Sequence, residues 1–219
     1  MATRLVLADL AEAYRQQCGV SVQIESVGGV DAAQRVQAGE AFDVVILAAD
    51  AIDRLIAAGH ALAGSRVDLV RSGVAVAVKA GAPVPDISSE AALRQAVLAA
   101  PSLSYSTGPS GVALAALFER WGIADQIRER IVTPPPGVPV GSLVARGDVA
   151  LGFQQHSELM HVPGITVLGP LPEPVQIVTT FSGAVCARSA QPDAVRALLA
   201  FMAAPAAEAA KQRQGMTGA

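Results

Sequence analysis

Aromatic side chains are scarce in this 219-residue chain: one Trp, two Tyr and five Phe make up 4% of it. No run is rich in Lys or Arg, and the formal net charge is −3. Without basic stretches to neutralise phosphates or aromatics to stack on bases, nucleic acid is excluded as a partner. Charged residues are only 16% of the chain against 52% hydrophobic ones, which excludes a disordered protein and gives a well-packed globular one. Cysteine is nearly absent. Cys18 and Cys186 stand alone, with no CxxC and no zinc spacing, so neither a disulfide framework nor a structural metal is expected. Cys18 lies on the apolar side of a helical pattern and Cys186 within a strand-like run; both read as buried core thiols, with a bond between them left open. Apolar stretches are broken by charge or glycine well before the ~20 residues a span needs, so no membrane insertion is expected. "MATRLVLADLAEAY" has Asp9 and Glu12 in its apolar part and no small-residue cleavage site after it. As written, the chain reads as cytoplasmic; an N-terminus truncated from a longer frame would make it periplasmic. No cofactor is expected.

What is present is alternation. Residues 3–18 carry Leu7, Leu10, Tyr14 and Cys18 at helical spacing, with Gly19 as the stop. "SVQIESV" alternates Val22 and Ile24 with Gln23 and Glu25, which predicts an edge strand with one wet face. "GGVDAAQRVQAGE" predicts a helix capped by Asp31 and ended by Gly39. "DVVILA" is apolar on both faces, as a buried parallel strand is. Helices follow at 49–59 and at 89–100, the latter with Ser89 as its cap, and a strand at 72–81 lies between them. Further on, helices are predicted after 105–111, at 139–146 and near 157–160, with strands in "VALGFQQ", "ITVLG" and "IVTTFSGAVCARS" and two terminal helices. The class is therefore α/β with mostly parallel sheet and flanking helices.

Function is carried by the joints. "YSTGPSG" crowds Ser106, Thr107, Gly108, Pro109, Ser110 and Gly111 between a short strand and an apolar helix. Small residues let a ligand approach the backbone, and a helix start offers unpaired N–H groups with a partial positive charge. Such a joint holds an anion without a charged side chain; taken alone it is equally an ordinary strand-to-helix turn. On this reading the Gly111 N–H has no partner in its helix, and Gly111→Pro costs little stability. Comparable loops lead into helices at Gly28-Gly29, at 134–138 and at Gln154-Gln155-His156. In open α/β sheets ligands bind beyond the carboxyl ends of the strands, where such joints lie.

The order of these parts resembles the type 2 periplasmic-binding-protein fold, and most closely the molybdate-binding-protein-like solute-binding group of ABC importers. "VQAGEAFDVVILAAD" (36–50), "YSTGPSG…ALFERWGIAD" (105–125), "LVARGDVALGFQQHSEL" (143–159) and "ALLAFMAAPAAEAAK" (197–211) carry the resemblance over nearly the whole chain. It implies two lobes, residues 1–82 with 173–219 and residues 83–172, closing a hinge on a small anion in the cleft between them. It also implies a monomer with an ABC-transporter permease as partner. By position the group's ligand-binding residues fall on Gly28, Gly29 and Val30, on the loop of Ser106, Thr107, Ser110 and Gly111, on Gly137 and Val138, and on Gln155.

Three departures stand out. The group has a strand and a serine-bearing loop before its first helix, and an upstream apolar segment is therefore expected in the reading frame. The 28–30 loop has no hydroxyl, and Gln155 stands where a tyrosine is common. N–H binding of an oxyanion or small carboxylate is what remains shared.

Aconitate isomerases are similar to this group, which makes an isomerase of a small unsaturated carboxylate the alternative. Moving a proton across an allylic tricarboxylate needs a base and cations. Glu25, Tyr105 and His156 are the candidate catalytic residues. No Arg or Lys lies in the four loops, although Arg35, Arg146 or Arg4 could reach in. An effector-sensing domain lacks its DNA-binding segment here.

Overall fold

A computed structural model describes residues 2–135 and 137–219. Met1 and Pro136, the latter inside the expected 134–138 ligand loop, lie outside the described residues. In chain order the elements are α1 (Arg4–Cys18), α2 (Gly29–Gln37), β1 (Val44–Ala48), α3 (Ala49–Ala57), β2 (Val67–Lys79), α4 (Glu90–Ala99), β3 (Leu103–Tyr105), α5 (Pro109–Arg120) and α6 (Ala124–Ile127). They continue with α7 (Val140–Arg146), β4 (Leu151–Gln155), α8 (His156–Leu159), β5 (Ile165–Pro170), β6 (Val178–Val185), α9 (Pro192–Ala203), α10 (Glu208–Arg213) and β7 (Thr217–Gly218). Two compact units form, Met1–Ser72 with Thr179–Ala219, and Gly73–Val178. The chain passes between them within β2 and at the start of β6. No loop or composition shift marks either crossing, since one strand runs through.

In the first unit β1 pairs with β6 in antiparallel register, Val44↔Val185 through Ala48↔Phe181. The start of β2 lies on the other side of β6 and also pairs with β7. Consecutive side chains of a strand point to opposite faces, so the unbroken apolar run of β1 serves two cores. Val44 and Ile46 pack with α1 and α9 residues such as Leu10, Tyr14 and Leu199. Val45 and Leu47 pack with Val36, Ile52 and Leu55 of α2 and α3. The expected two-sided burial is present; the expected parallel partner is not, because β6 returns antiparallel.

Helix α1 buries Val6, Leu7, Leu10, Ala11 and Tyr14 and ends at Gly19, whose φ of 73° no side chain favours. Cys18 corrects the sequence reading: it is exposed, whereas Cys186 is buried, and both are free thiols. The buried stripe of α1 runs out at Tyr14, one turn earlier. The segment 19–28 corrects it again. It forms no strand, and Val20 and Ile24 are exposed. Alternation alone makes no ladder; a strand needs a partner for its N–H and C=O groups.

A partly buried polar contact joins β2 to β6. The fully buried Ser182 hydroxyl donates to the Asp68 carboxylate at 2.7 Å. That bond holds the Asp68 carboxyl below its usual range against the opposing effect of burial, with help from Arg66. The stabilisation is present above the unfolded-state pKa and is lost as pH falls through the native Asp68 titration. Ser182→Ala is therefore expected to destabilise the protein at neutral pH and to have a smaller effect at pH 2, measured by urea unfolding at both.

In the second unit β2 is flanked by β4 (Val74↔Gln155 to Ala77↔Gly152) and β5, both antiparallel. β3 pairs with β4 in parallel register, Leu103↔Leu151 to Tyr105↔Phe153. The sheet is thus mixed. One face packs under α4 and α5 through Leu93, Leu114, Phe118 and Phe153. The other packs under α7 through Val140, Leu143 and Val144. Gly152 lets α7 close on β4: a Cβ there would lie 2.4 Å from Val144 Cγ2. Ser89 caps α4 as its sequence predicts, accepting from the Ala92 N–H at 3.2 Å. No helix among the described residues is long and apolar enough to cross a membrane.

Candidate functional site

The second unit brings one group of the expected residues together. Tyr105 ends β3, and its register partner Phe153 shares its face of the sheet. Phe118 of α5 packs edge-on to both rings, with centroids 5.9 and 6.1 Å away. Two residues beyond Phe153, on the same face, stands the buried Gln155. The loop 106–111 and the segment 131–133 start beside this row. Tyr105, Ser106, Thr107 and Gly111 line a concavity of about 170 Å3 together with Val112, Ala115, Ile131 and Thr133. Val132 donates to the Leu103 carbonyl at 2.8 Å, which lays 131–133 along β3 on the way to Gly137 and Val138. Gly137 has a φ of 75°, and Val138 donates to the Pro135 carbonyl at 3.0 Å.

The helix starts differ in charge. Among the described residues, α5 and α7 have neither a side-chain cap nor an acidic residue in the first turn. The partial positive charge of each start meets no carboxylate in its first turn, although Gly111 donates its N–H to the Gly108 carbonyl and Gly141 its N–H to Gln154 Oε1. α2 is also uncapped but carries Asp31 in its first turn, and α8 carries Glu158. Asp31 was expected as the cap of α2; the helix begins two residues earlier, at Gly29, with Gly28 before it. Gly28, Gly29 and Val30 belong to the first unit, where Val30 is exposed.

The loop before α5 corrects the role given to Gly111. The helix opens at Pro109, and the Gly111 N–H is already donated to the Gly108 carbonyl at 3.0 Å. Glycine is needed there for space: a Cβ would lie 1.6 Å from the Ser106 carbonyl oxygen. The Ser106 and Ser110 hydroxyls meet at 3.1 Å, bracing the loop across its mouth.

Of the candidate bases, Tyr105 alone lines this concavity. Burial pushes its phenol pKa above the ordinary value, so it stays protonated at neutral pH and serves as a donor. His156 opens α8, directly after Gln155. Glu25 lies in the first unit, ion-paired to Arg35 at 2.7 Å. Arg35 also holds Glu40 at 2.6 Å and stacks over the Phe42 ring at 4.8 Å. Arg146 pairs with Asp148 at 2.8 Å. Two of the three cations offered for a multiply charged ligand are thus engaged by carboxylates.

Sequence reasoning placed Gln154 in an approach to a helix and missed its role within β4. Its buried amide oxygen accepts the Gly141 N–H of α7 at 3.0 Å, and its side chain also hydrogen-bonds the Glu158 carboxylate. Burial raises the Glu158 pKa; that bond opposes the rise. The available signal was a polar residue on the α7 face of the apolar strand LGFQQ.

Residues 1–217 match the family of bacterial extracellular solute-binding proteins. The chain belongs to that family. It is also 40% identical over 218 residues to an aconitate isomerase from Pseudomonas sp, covering 96% of this chain and 82% of that protein. Among solved structures it is similar to the periplasmic molybdate-binding protein of Azotobacter vinelandii, with a TM-score of 0.80 at 21% identity over 99% and 95% of the two chains. The sulfate-binding protein SubI of Mycobacterium tuberculosis aligns with a TM-score of 0.76 at 18% identity over 97% and 82%. These likenesses show the two-lobed α/β fold of type 2 periplasmic binding proteins.

Proposed function

We propose that this family member binds a small anion, an oxyanion or a small carboxylate, through backbone N–H groups and hydroxyls of the second unit. The observation that carries this is the start of α5. It is uncapped and free of acidic residues, whereas the neighbouring α4 is capped by its own Ser89. Serine and threonine hydroxyls stand beside it in a concavity that, among the described residues, no Lys or Arg lines. A helix start of this kind favours an anion by roughly 0.3–1 kcal/mol, and by more where water is excluded. As a binder the protein hands its anion to an ABC-transporter permease.

A second reading, an isomerase of a small unsaturated carboxylate, is favoured by the 40% identity to an aconitate isomerase. Binding a carboxylate is common to both readings; only the second needs a proton removed and returned.

Thermal shift against molybdate, tungstate, sulfate, phosphate and di- and tricarboxylates tests the shared step. A ligand at about 100 times its Kd is expected to add roughly 2.7 kcal/mol, a rise of roughly 5–10 °C for a chain of this size. No shift with any of them rejects the proposal. Chromatography of cis- and trans-aconitate incubated with the protein separates the readings. A pure binder leaves each unchanged. Sustained interconversion, abolished in Tyr105→Phe, His156→Gln or Glu25→Gln, establishes the isomerase.

A further inference from the structure

Lysine occurs only twice in this chain, as Lys79 and Lys211, among 16 basic residues. Lys79 is exposed, whereas Lys211, on α10, is 1% exposed. A guanidinium keeps its charge wherever it is placed; an amine sheds its charge readily when buried. Burial holds the Lys211 pKa below the ordinary lysine value, and Glu208, one turn earlier on α10, opposes that shift.

Residues 214–219 cover this amine. After α10 the chain turns at Gly215, with a φ of 67°, and buries Met216. Thr217 and Gly218 then form β7, a two-residue strand paired with Arg71 and Val70 of β2. Gly218 donates its N–H to Glu208 Oε2 at 2.9 Å, and a Cβ on it would lie 3.9 Å from Lys211 Nζ. The segment is thus laid across Glu208 and Lys211, which share one side of α10 at i,i+3 spacing. Two ladder positions, the Met216 side chain, the Glu208 bond and a bond from Gln214 to Asp9 at 3.0 Å hold it. Short segments on so small a set of contacts open locally at less cost than unfolding the whole unit.

We propose that 214–219 is a strap that opens as one unit, and that Lys211 beneath it is a modification site, an amine that takes an acyl group when uncovered. The uncharged amine attacks the carbonyl carbon of an activated acyl donor, a thioester or an acyl phosphate. A C–N bond forms and the donor's C–S or C–O bond breaks. The sulfur or oxygen leaves with the electron pair, and the amine proton passes to water. The product is an uncharged amide, larger than the amine it replaces, in a space already closed around it. Reclosing the strap overpacks the site, so acylation holds the strap open and frees the edge of β2 at Val70 and Arg71. The device lies wholly in the first unit and is independent of any ligand bound by the second.

Acetylation of the native protein with the N-hydroxysuccinimide ester of acetic acid, followed residue by residue by mass spectrometry, tests this with Lys79 as internal reference. Lys211 is expected to react at least about tenfold more slowly than Lys79. Gly218→Pro removes the N–H given to Glu208 and alters no charge. It is expected to speed Lys211 severalfold while the Lys79 rate and the melting temperature stay unchanged. In hydrogen exchange, acetylated Lys211 is expected to speed the 215–218 amides by about tenfold or more and to leave those of β6 alone. Lys211 reacting as fast as Lys79 overturns the cover, and a Lys211 rate unchanged in Gly218→Pro overturns its control by the strap. In the parent alone, a Lys211 rate that rises with urea as steeply as global unfolding rules out a separate opening. Unchanged exchange at 215–218 after acetylation overturns the trapping of the open strap.

Discussion

Gly111→Ala is expected to lower both stability and anion affinity, although it adds a single methyl group to a helix. The added Cβ would lie 1.6 Å from the Ser106 carbonyl oxygen and 3.3 Å from Tyr105 Cδ2. The first obstacle is backbone and cannot rotate away, so loop 106–111 or the first turn of α5 must move. Overpacking of this kind costs about 1–3 kcal/mol, which lowers the melting temperature by roughly 2–12 °C. The displaced loop carries Ser106 and Thr107 away from the uncapped start of α5. Affinity for whichever anion the screen identifies is expected to fall at least tenfold, about 1.4 kcal/mol. Gly111→Pro meets the same oxygen and also removes the donor to Gly108, so it is expected to be worse, the reverse of its sequence-based expectation. Ala116→Ser, exposed on the same helix, is expected to leave both quantities within about 0.5 kcal/mol. A Gly111→Ala protein that melts and binds like its parent rules out this loop geometry.

Gly111 also shows where sequence reasoning stops. Its place at a strand-to-helix joint was legible, because small and turn-forming residues cluster there. Its reason was not: the obstacle is the oxygen of a residue five positions earlier, visible only once the loop is folded. Ser89 was legible as a cap because capping is local. The two-sided burial of β1 was legible from an unbroken apolar run, whereas its direction against β6 depends on a strand more than a hundred residues later. The alternation of 21–27 looked like a strand, but pairing is not a property of one segment. Cys18 continued the helical spacing of α1 past the point where anything packs on it. Burial is decided by the neighbour, and the pattern reports only the face.

Gln154→Met is expected to destabilise the protein by about 2–4 kcal/mol, measured by urea unfolding at neutral pH. The change keeps volume and removes hydrogen bonding, so cavity effects are small. It leaves the Gly141 N–H without its acceptor and Glu158 without its side-chain donor, in a residue only 4% exposed. An unsatisfied buried group costs about 1–3 kcal/mol, and more when charged. The pH dependence identifies the second loss. Burial already raises the Glu158 pKa in the folded protein. A carboxyl of that kind destabilises the native state as pH rises through the interval between its unfolded and folded values, and the penalty is complete above the folded one. Without Gln154 the pKa rises further and the penalty grows. The difference between variant and parent is therefore expected to be smaller at pH 4 than at pH 7. Because Gly141 lies in the first turn of α7, the freed N–H also loosens the start of that uncapped helix. A pH-independent difference assigns the whole effect to Gly141, and an unchanged stability at both pH values removes Gln154 from any part in holding α7 to β4.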